Sequence, residues 1–168
     1  MKRLLKTALR SFGPDMFSRL NQNYTGHDQF RFENVAVGYQ PGVMHTYRVK
    51  ADAGGAEHWP GMASASRAHL IKDGVPANLI DVCDVDVVPI GTLFERHAIR
   101  NVDLLQVDVE GFDHEVLKMV FATGIRPAII NYEHCHLVPE IRNAAKQLLI
   151  EQGYRFVEIG KDALAVSA

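Results

Sequence analysis

The sequence lacks most of the features that mark specialised protein classes. Its 168 residues contain only two cysteines, Cys83 and Cys135, which form no CxxC pair and imply no disulfide framework, so we expect a reducing, cytoplasmic location. We expect no integral membrane protein, because no apolar run approaches the roughly 20 residues that cross a bilayer. The net charge of -2 gives no reason to expect a nucleic-acid partner. What remains is an ordinary globular composition, 47% hydrophobic and 23% charged, long enough to bury a core.

The N-terminus carries a basic amphipathic pattern, MKRLLKTALRSF, in which Leu4, Leu5 and Leu9 share one helical face. This pattern predicts a helix within residues 1–14, followed by a single domain over residues 15–168. A helix that packs on the domain or frays at its end is favoured, because the apolar segment is too short and too interrupted for a signal peptide. A targeting helix or a membrane-surface helix is the alternative.

Strands and helices alternate along the rest of the chain, which predicts an α/β fold with a mostly parallel sheet and helices on both faces. Strands are predicted at residues 30–37, 44–50, 80–90, 103–109 and 128–133. The first two of these strands could form a hairpin with each other. Near the C-terminus, residues 154–166 predict an antiparallel hairpin, because Gly160-Lys161-Asp162 is typical of a turn between two short strands.

The main functional signal is the stretch DLLQVDVEGFDHEVLKMV, residues 103–120. It predicts a strand buried on both faces, then an acidic turn, then a helix that begins at Phe112. Alternation along the strand places Asp108 and Glu110 on the same side. Open α/β sheets bind ligands at the carboxyl ends of their strands, so both carboxylates are candidate site residues. The alternative is that they serve only the turn and the N-terminus of the helix.

The next buried strand, AIINYE, also ends in a carboxylate, Glu133, and is followed by His134, Cys135 and His136. Side chains alternate along a strand, so adjacent histidine and cysteine residues do not easily converge on one ion. The pattern also lacks the paired, spaced ligands of a structural zinc site, and no metal is predicted. A metal-dependent hydrolase that uses the carboxylates of Asp108, Glu110 and Glu133 remains an alternative.

Residues 51–66 form a glycine-rich loop that contains Trp59, the only tryptophan. Such a loop can be a substrate lid with an exposed aromatic ring. It can equally be a loop that one buried ring holds in place, and the sequence favours neither alternative.

Two segments together, IRNVDLLQVDVEGFDHEVLKM and RPAIINYEH, resemble the core signature of the FkbM-type S-adenosylmethionine-dependent methyltransferases. FSRLNQNY, FRFENVAVG and GYRFVEIGKDALAV agree with that family in the same order, so the resemblance runs over residues 15–166. It implies a partial Rossmann-like methyltransferase fold and methyl transfer to a hydroxyl oxygen of a small molecule, sugar or lipid. On this resemblance, Asp108, Glu110 and Glu133 would be the catalytic residues, and Asn34 and Ala36 would lie on the adenine side of the cofactor. Ser66 is a further candidate for cofactor binding, and Trp59, His134 and His136 are candidates for substrate binding.

The sequence departs from the family pattern in one respect. The family begins with a strand and a glycine-rich turn, D-x-G-A-N-x-G, and a second strand that ends in an acidic residue, and neither is found here. We therefore expect a truncated domain, with bare facing edges on the strands of residues 30–37 and 103–109 and with low affinity for S-adenosylmethionine. The alternative function is a catalytically inactive remnant that binds a partner or forms a homo-oligomer through the exposed sheet edge.

Overall fold

The computed structural model describes residues 14–50, 53–55, 59, 62–109 and 111–168. The predicted N-terminal helix, much of the glycine-rich loop and Glu110 lie outside the described residues. Within them, no helix is long and apolar enough to cross a membrane.

Five α-helices and eight strands alternate along the described chain. The helices are α1 (Pro14–Asn23), α2 (Arg67–Lys72), α3 (Ile90–Arg96), α4 (Asp113–Ala122) and α5 (Pro139–Glu151), with a short 3-10 helix over Ala77–Leu79. The strands are β1 (Ala36–Gly38), β2 (Gly42–Val49), β3 (Ala63–Ser64), β4 (Ile80–Pro89), β5 (Leu104–Val107), β6 (Ile129–Glu133), β7 (Tyr154–Ile159) and β8 (Asp162–Ser167). The predicted α/β class is therefore confirmed.

The first sheet has the strand order β1-β4-β2-β3. The prediction that its first two strands form a hairpin is wrong, because β4 lies between them. Val87 of β4 pairs with Ala36 of the parallel β1 and with Gly42 of the antiparallel β2. The valine-rich β4 is long enough to pair with β2 along its whole length, whereas β1 offers only three residues.

The strand predicted at residues 30–37 is much shorter than expected and begins only at Ala36. The preceding aromatic residues pack on the end of α1 instead of extending the sheet. The Tyr24 ring lies 4.8 Å from the Phe30 ring and 5.4 Å from the Phe32 ring, measured between centroids. Local aromatic packing therefore competes with strand pairing in this segment.

The second sheet has the order β5-β6-β8-β7. The closing hairpin of β7 and β8 is confirmed. The prediction of a mostly parallel sheet is wrong, because both sheets are mixed. Within the described part of the chain only β1–β4 and β5–β6 are parallel pairs, and the remaining pairs are antiparallel.

One face of the second sheet is buried and the other is exposed. Val107, Ile130 and Tyr132 point into the core and are at most 1% exposed. On the opposite face, the paired residues Leu104, Ile129 and Val166 are 38%, 38% and 45% exposed. The prediction that helices cover both faces is wrong here, since no helix of the described residues buries this second face.

A single large hydrophobic core joins the two sheets. It contains Val37 of β1 and Val107 of β5, together with residues of α3, α4 and α5. Outside the core, Tyr39 donates a hydrogen bond to Glu115 of α4, and Lys118 donates to both oxygens of the same carboxylate at 2.9 Å. These hydrogen bonds lower the pKa of Glu115 and tie the end of β1 to α4.

One strand at the end of each sheet, β1 in the first and β5 in the second, has one edge without a strand partner among the described residues. In the described chain β4 is the sole strand neighbour of β1, and β6 is the sole strand neighbour of β5. The expectation of two bare edges is therefore confirmed for the described residues. Side-chain packing, rather than a continuous hydrogen-bond ladder, holds the two sheets together.

Candidate functional site

The turn between β5 and α4 carries the first candidate carboxylate. β5 ends at Val107, two residues earlier than predicted, so the alternation argument does not extend to Asp108 and Glu110. Asp108 is exposed, and Val109 after it packs partly against the core. Gly111 adopts a φ of 100°, a left-handed conformation that favours glycine. The turn therefore presents Asp108 at the carboxyl end of β5, as predicted.

Asp113, the first residue of α4, forms a hydrogen bond with this turn. Its side chain is fully buried, and Oδ2 accepts a hydrogen bond from the Gly111 N–H at 3.2 Å. Burial raises the pKa of the Asp113 carboxyl to about 6, opposed by backbone N–H groups of the turn and assisted by the negative charge of Asp108. Sequence reasoning missed Asp113, although a short acidic side chain two residues after a turn glycine is a detectable signal.

Glu133 lies beside Asp108 at the same edge of the second sheet. Val107 pairs with Tyr132 in the parallel β5–β6 ladder, so Asp108 and Glu133 follow at equivalent positions. The Glu133 side chain is 16% exposed, and its Oε2 lies 3.5 Å from Nε2 of His136. The carboxylates of two neighbouring strands are thus brought to one edge, as the sequence predicted.

The two predicted substrate histidines occupy different environments. His134 is 3% exposed, and neither of its ring nitrogens has a hydrogen-bond partner among the described residues. Its Nε2 lies 3.9 Å from Glu158. His136 is exposed, and its backbone carbonyl lies against Gly111. His136 is therefore accessible to a ligand, whereas His134 belongs to the layer beneath the site.

A cavity of about 500 Å³ lies between the first sheet and the β5–α4 turn. It is bounded by β1, β2 and β4, by the β3–α2 segment and by the β5–α4 turn, and its lining includes Ala36, Ser64, Ser66, His69, Val109 and Gly111. Ala36 and Ser66, two of the predicted cofactor residues, line it. Asn34, the third, is exposed and does not. The volume and mostly apolar walls are typical of small-molecule pockets.

His69 connects the cavity to the end of β6. Its side chain lines the cavity, and its ring centroid lies 5.8 Å from that of His136. Its Nε2 also lies 3.5 Å from the Asp73 carboxylate. No motif in the sequence singles out His69, because the contact joins residues that are distant in the chain.

Trp59 lies in a second hydrophobic cluster and does not line the cavity. It packs partly buried against the cluster of Val49, Leu70, Val75 and Ile80. Its ring also lies over Gly55, where it would collide with an added Cβ. The structure thus places the predicted substrate residue Trp59 in the packing around β2 and α2.

Comparison with known proteins assigns most of the chain to one protein family. The family model described as "Methyltransferase FkbM domain" matches residues 9–156. Neither the curated proteins nor the solved structures include a chain that matches this one. The match covers both sheet edges, the cavity, and the Asp108 and Glu133 positions.

Proposed function

The chain belongs to the FkbM methyltransferase domain family, and we propose that it transfers a methyl group from S-adenosylmethionine to a hydroxyl oxygen of a small molecule, sugar or lipid. The observation that carries this proposal is the position of the cavity. It opens beside the turn that bears Asp108, at the edge where Asp108 and Glu133 lie together. Ligand binding at the carboxyl ends of strands is the general rule for α/β sheets.

The lining of the cavity offers apolar surfaces and hydroxyl groups that a nucleoside-like ligand could contact. Apolar residues of β1 and β4 supply surfaces for a planar base, and Ser64 and Ser66 supply hydroxyl groups at the rim. When bound, S-adenosylmethionine supplies an electrophilic sulfonium methyl group. In this proposal Ala36 and Ser66 contact the cofactor, and His136 contacts the acceptor.

Asp108 would act on the acceptor hydroxyl. Asp108 is an exposed carboxylate next to the cavity-lining Val109, and a carboxylate there can orient the hydroxyl and accept its proton as the oxygen–carbon bond forms. The sulfur–carbon bond breaks with its electron pair left on sulfur, and the products are a methyl ether and a neutral thioether. Glu133, beside Asp108, would orient the acceptor, and holding both reactants in line provides most of the rate enhancement in such a transfer.

Substitution of Asp108 tests this role. We expect Asp108→Asn to lower methyl transfer by about 10²–10⁴-fold, because the amide cannot accept the hydroxyl proton. The assay uses millimolar S-adenosylmethionine and a panel of sugar and lipid alcohols, with the methylated product detected by mass spectrometry. Asp103→Asn is the matched control, since Asp103 is exposed just before the same strand.

A second pair of variants tests the cavity itself. Ala65 is exposed and lines the cavity, whereas Ala68 is exposed on α2 and does not. Ala65→Trp should abolish transfer by filling the cavity, and Ala68→Trp should leave it unchanged. The proposal fails if no alcohol is methylated by the unaltered chain, or if Asp108→Asn and Asp103→Asn are equally active.

A further inference from the structure

We propose that Glu133, Cys135 and His136 bind a divalent transition-metal ion of the zinc class at the carboxyl end of β6. A carboxylate oxygen, a thiol sulfur and an imidazole nitrogen from these residues all lie within 4.8 Å of one another. These are the three donor types with which proteins bind zinc. This site shares Glu133 and His136 with the acceptor side of the methyl-transfer site proposed above, but the observations that support metal binding do not depend on methyl transfer.

The distance between two of the donors already fits a shared ion. His136 Nε2 and Glu133 Oε2 are 3.5 Å apart. Two ligands bound at 2.0–2.2 Å in a tetrahedral arrangement are separated by about 3.4 Å. For all three donors to bind one ion, the exposed side chain of Cys135 would have to bring its sulfur closer to the other two. This movement would leave the strand in place.

The backbone explains how three neighbouring residues converge. Strand alternation would separate the three donors only if the strand continued through residue 136. β6 ends at Glu133, so residues 134–136 are not part of the strand. The next residues form a turn, which the Leu137 N–H closes by donating to the His134 carbonyl at 3.2 Å. The turn redirects Cys135 and His136 back toward Glu133, while the intervening His134 points into the buried layer. Strand alternation therefore does not separate the three donors.

The neighbouring turn packs against the back of this site. Gly111 lies against the His136 carbonyl, where an added Cβ would come within 3.4 Å. This contact couples the turn that bears Asp108 to the turn that bears two of the ligands. The turn that bears Cys135 and His136 is thus supported by packed backbone, which favours a preformed site over one that assembles only with the ion.

Among the described residues three side chains supply ligands, so a tetrahedral ion would keep one position for a further donor. Cys135 and His136 are exposed, so water or a ligand oxygen can reach the ion. The side of His136 faces His69, whose ring lines the cavity. Zinc sites with three protein ligands and an open position are the kind that bind water or substrate.

The simpler alternative is an exposed ion pair between Glu133 and a protonated His136. Such a pair contributes little to stability, and the thiol of Cys135 would take no part in it. The two readings therefore differ in one measurable property, which is whether sulfur takes part in binding a metal.

Cobalt titration of the purified full chain tests the site. Co²⁺ bound by a thiolate gives a near-ultraviolet charge-transfer absorption that a site with only oxygen and nitrogen donors lacks. We expect one equivalent of Co²⁺ to produce this band and one equivalent of Zn²⁺ to remove it. Cys135→Ser should abolish the band, and Cys83→Ser, the matched control at the only other cysteine, should retain it.

The other two ligands are tested by affinity. We expect His136→Gln and Glu133→Gln each to weaken zinc binding by about tenfold or more, judging from the losses seen even for groups that only support a ligand. His45→Gln is the control, because His45 is exposed on the first sheet beside Asp84. Circular dichroism spectra of all variants confirm that they are folded.

Three outcomes would overturn the proposal: no saturable binding, a band that survives Cys135→Ser, or equal affinities in the ligand variants and the His45 control. Binding of several equivalents without saturation would mean an adventitious ion only. No methyl donor is present in these titrations, so their failure would leave the proposed methyl transfer untouched.

Discussion

Asp113 is a buried carboxyl group that forms a hydrogen bond with the turn bearing Asp108. It is fully buried, yet one oxygen holds the Gly111 N–H and the other has no hydrogen-bond partner among the described residues. Charging this group in the folded state costs free energy that the unfolded chain does not lose. The turn that presents Asp108 is therefore hydrogen-bonded to a residue whose neutral form is more favoured in the folded protein than in the unfolded chain.

The raised pKa of Asp113 predicts how stability depends on pH. The group has a pKa of about 6 in the folded protein, against 3.8 for the ordinary side chain. The folded state binds the proton more tightly, so its contribution to stability is fully present below the unfolded pKa and is lost as the pH rises through 6. Relative to Asp113→Asn, the unaltered protein should lose about 2 kcal/mol of unfolding free energy between pH 4.5 and 7.5.

Urea denaturation at the two pH values measures this difference. Asp86→Asn, at an exposed position of β4, serves as the control and should show no such pH dependence relative to the unaltered protein. A stability difference between the Asp113 variant and the unaltered protein that is the same at both pH values would contradict the assignment.

At the scale of elements, the two turns at the carboxyl edge are packed on each other. The turn after β5 reaches its position through the left-handed Gly111, and the turn after β6 presents the His136 carbonyl to it. The Tyr39–Glu115 hydrogen bond then fixes α4 against the end of β1. Asp108, Glu133 and the cavity are thus positioned by contacts between elements, with the second sheet as their common support.

Gly111→Ala should lower the free energy of unfolding by more than the cost of placing an alanine in the left-handed conformation. The positive φ costs about 1–2 kcal/mol for a residue with a Cβ, and the new Cβ also meets the His136 carbonyl at 3.4 Å. Gly124→Ala is a matched control, because Gly124 has a φ of 81° and nothing within 4 Å of the added atom. Gly42→Ala, which has neither constraint, should change the unfolding free energy by less than about 0.5 kcal/mol.

Urea unfolding of the three variants gives the ranking. The expected order of destabilisation is Gly111→Ala, then Gly124→Ala, then Gly42→Ala. If the first two are equal, the contact between the two turns contributes nothing to stability.

At the scale of the whole molecule, two mixed sheets share one core. β1 and β5 each pair on one side only within the described residues. The cavity lies between the first sheet and the β5–α4 turn, so one of its walls is irregular backbone and side chains. The sequence also contains no D-x-G-x-x-x-G turn whose glycines would let backbone approach a cofactor.

We therefore predict weak binding of S-adenosylmethionine by this 168-residue chain. The dissociation constant should exceed the micromolar range, because the sequence has no D-x-G-x-x-x-G turn and the described residues that line the cavity include no carboxylate for the ribose. Isothermal titration calorimetry measures it directly. Micromolar affinity would contradict the prediction and would mean that the cavity binds the cofactor without these elements.

The family, the α/β class and the closing hairpin could all be predicted from local patterns. Alternating strands and helices and a turn of glycine and polar residues act over a few residues, so their signals are visible in sequence. The edge position of Asp108 and Glu133 was predictable for the same reason, since each directly follows a buried strand. The contact between His69 and His136 was not, because it joins segments far apart in the chain, and the approach of Cys135 to Glu133 was not, because it depends on where β6 ends. Asp113 was missed although its hydrogen-bond partner, Gly111, is only two residues away.

The sequence by itself determined the elements and the carboxylates that follow β5 and β6. Only the tertiary structure decided that β4 lies between β1 and β2, that one face of the second sheet is exposed, and that Glu133, Cys135 and His136 converge. The physical reason is that hydrophobic periodicity specifies which side of an element is buried but not which neighbour buries it. Strand pairing and turn geometry are settled by competition among many apolar surfaces, and that competition is resolved only in the packed chain.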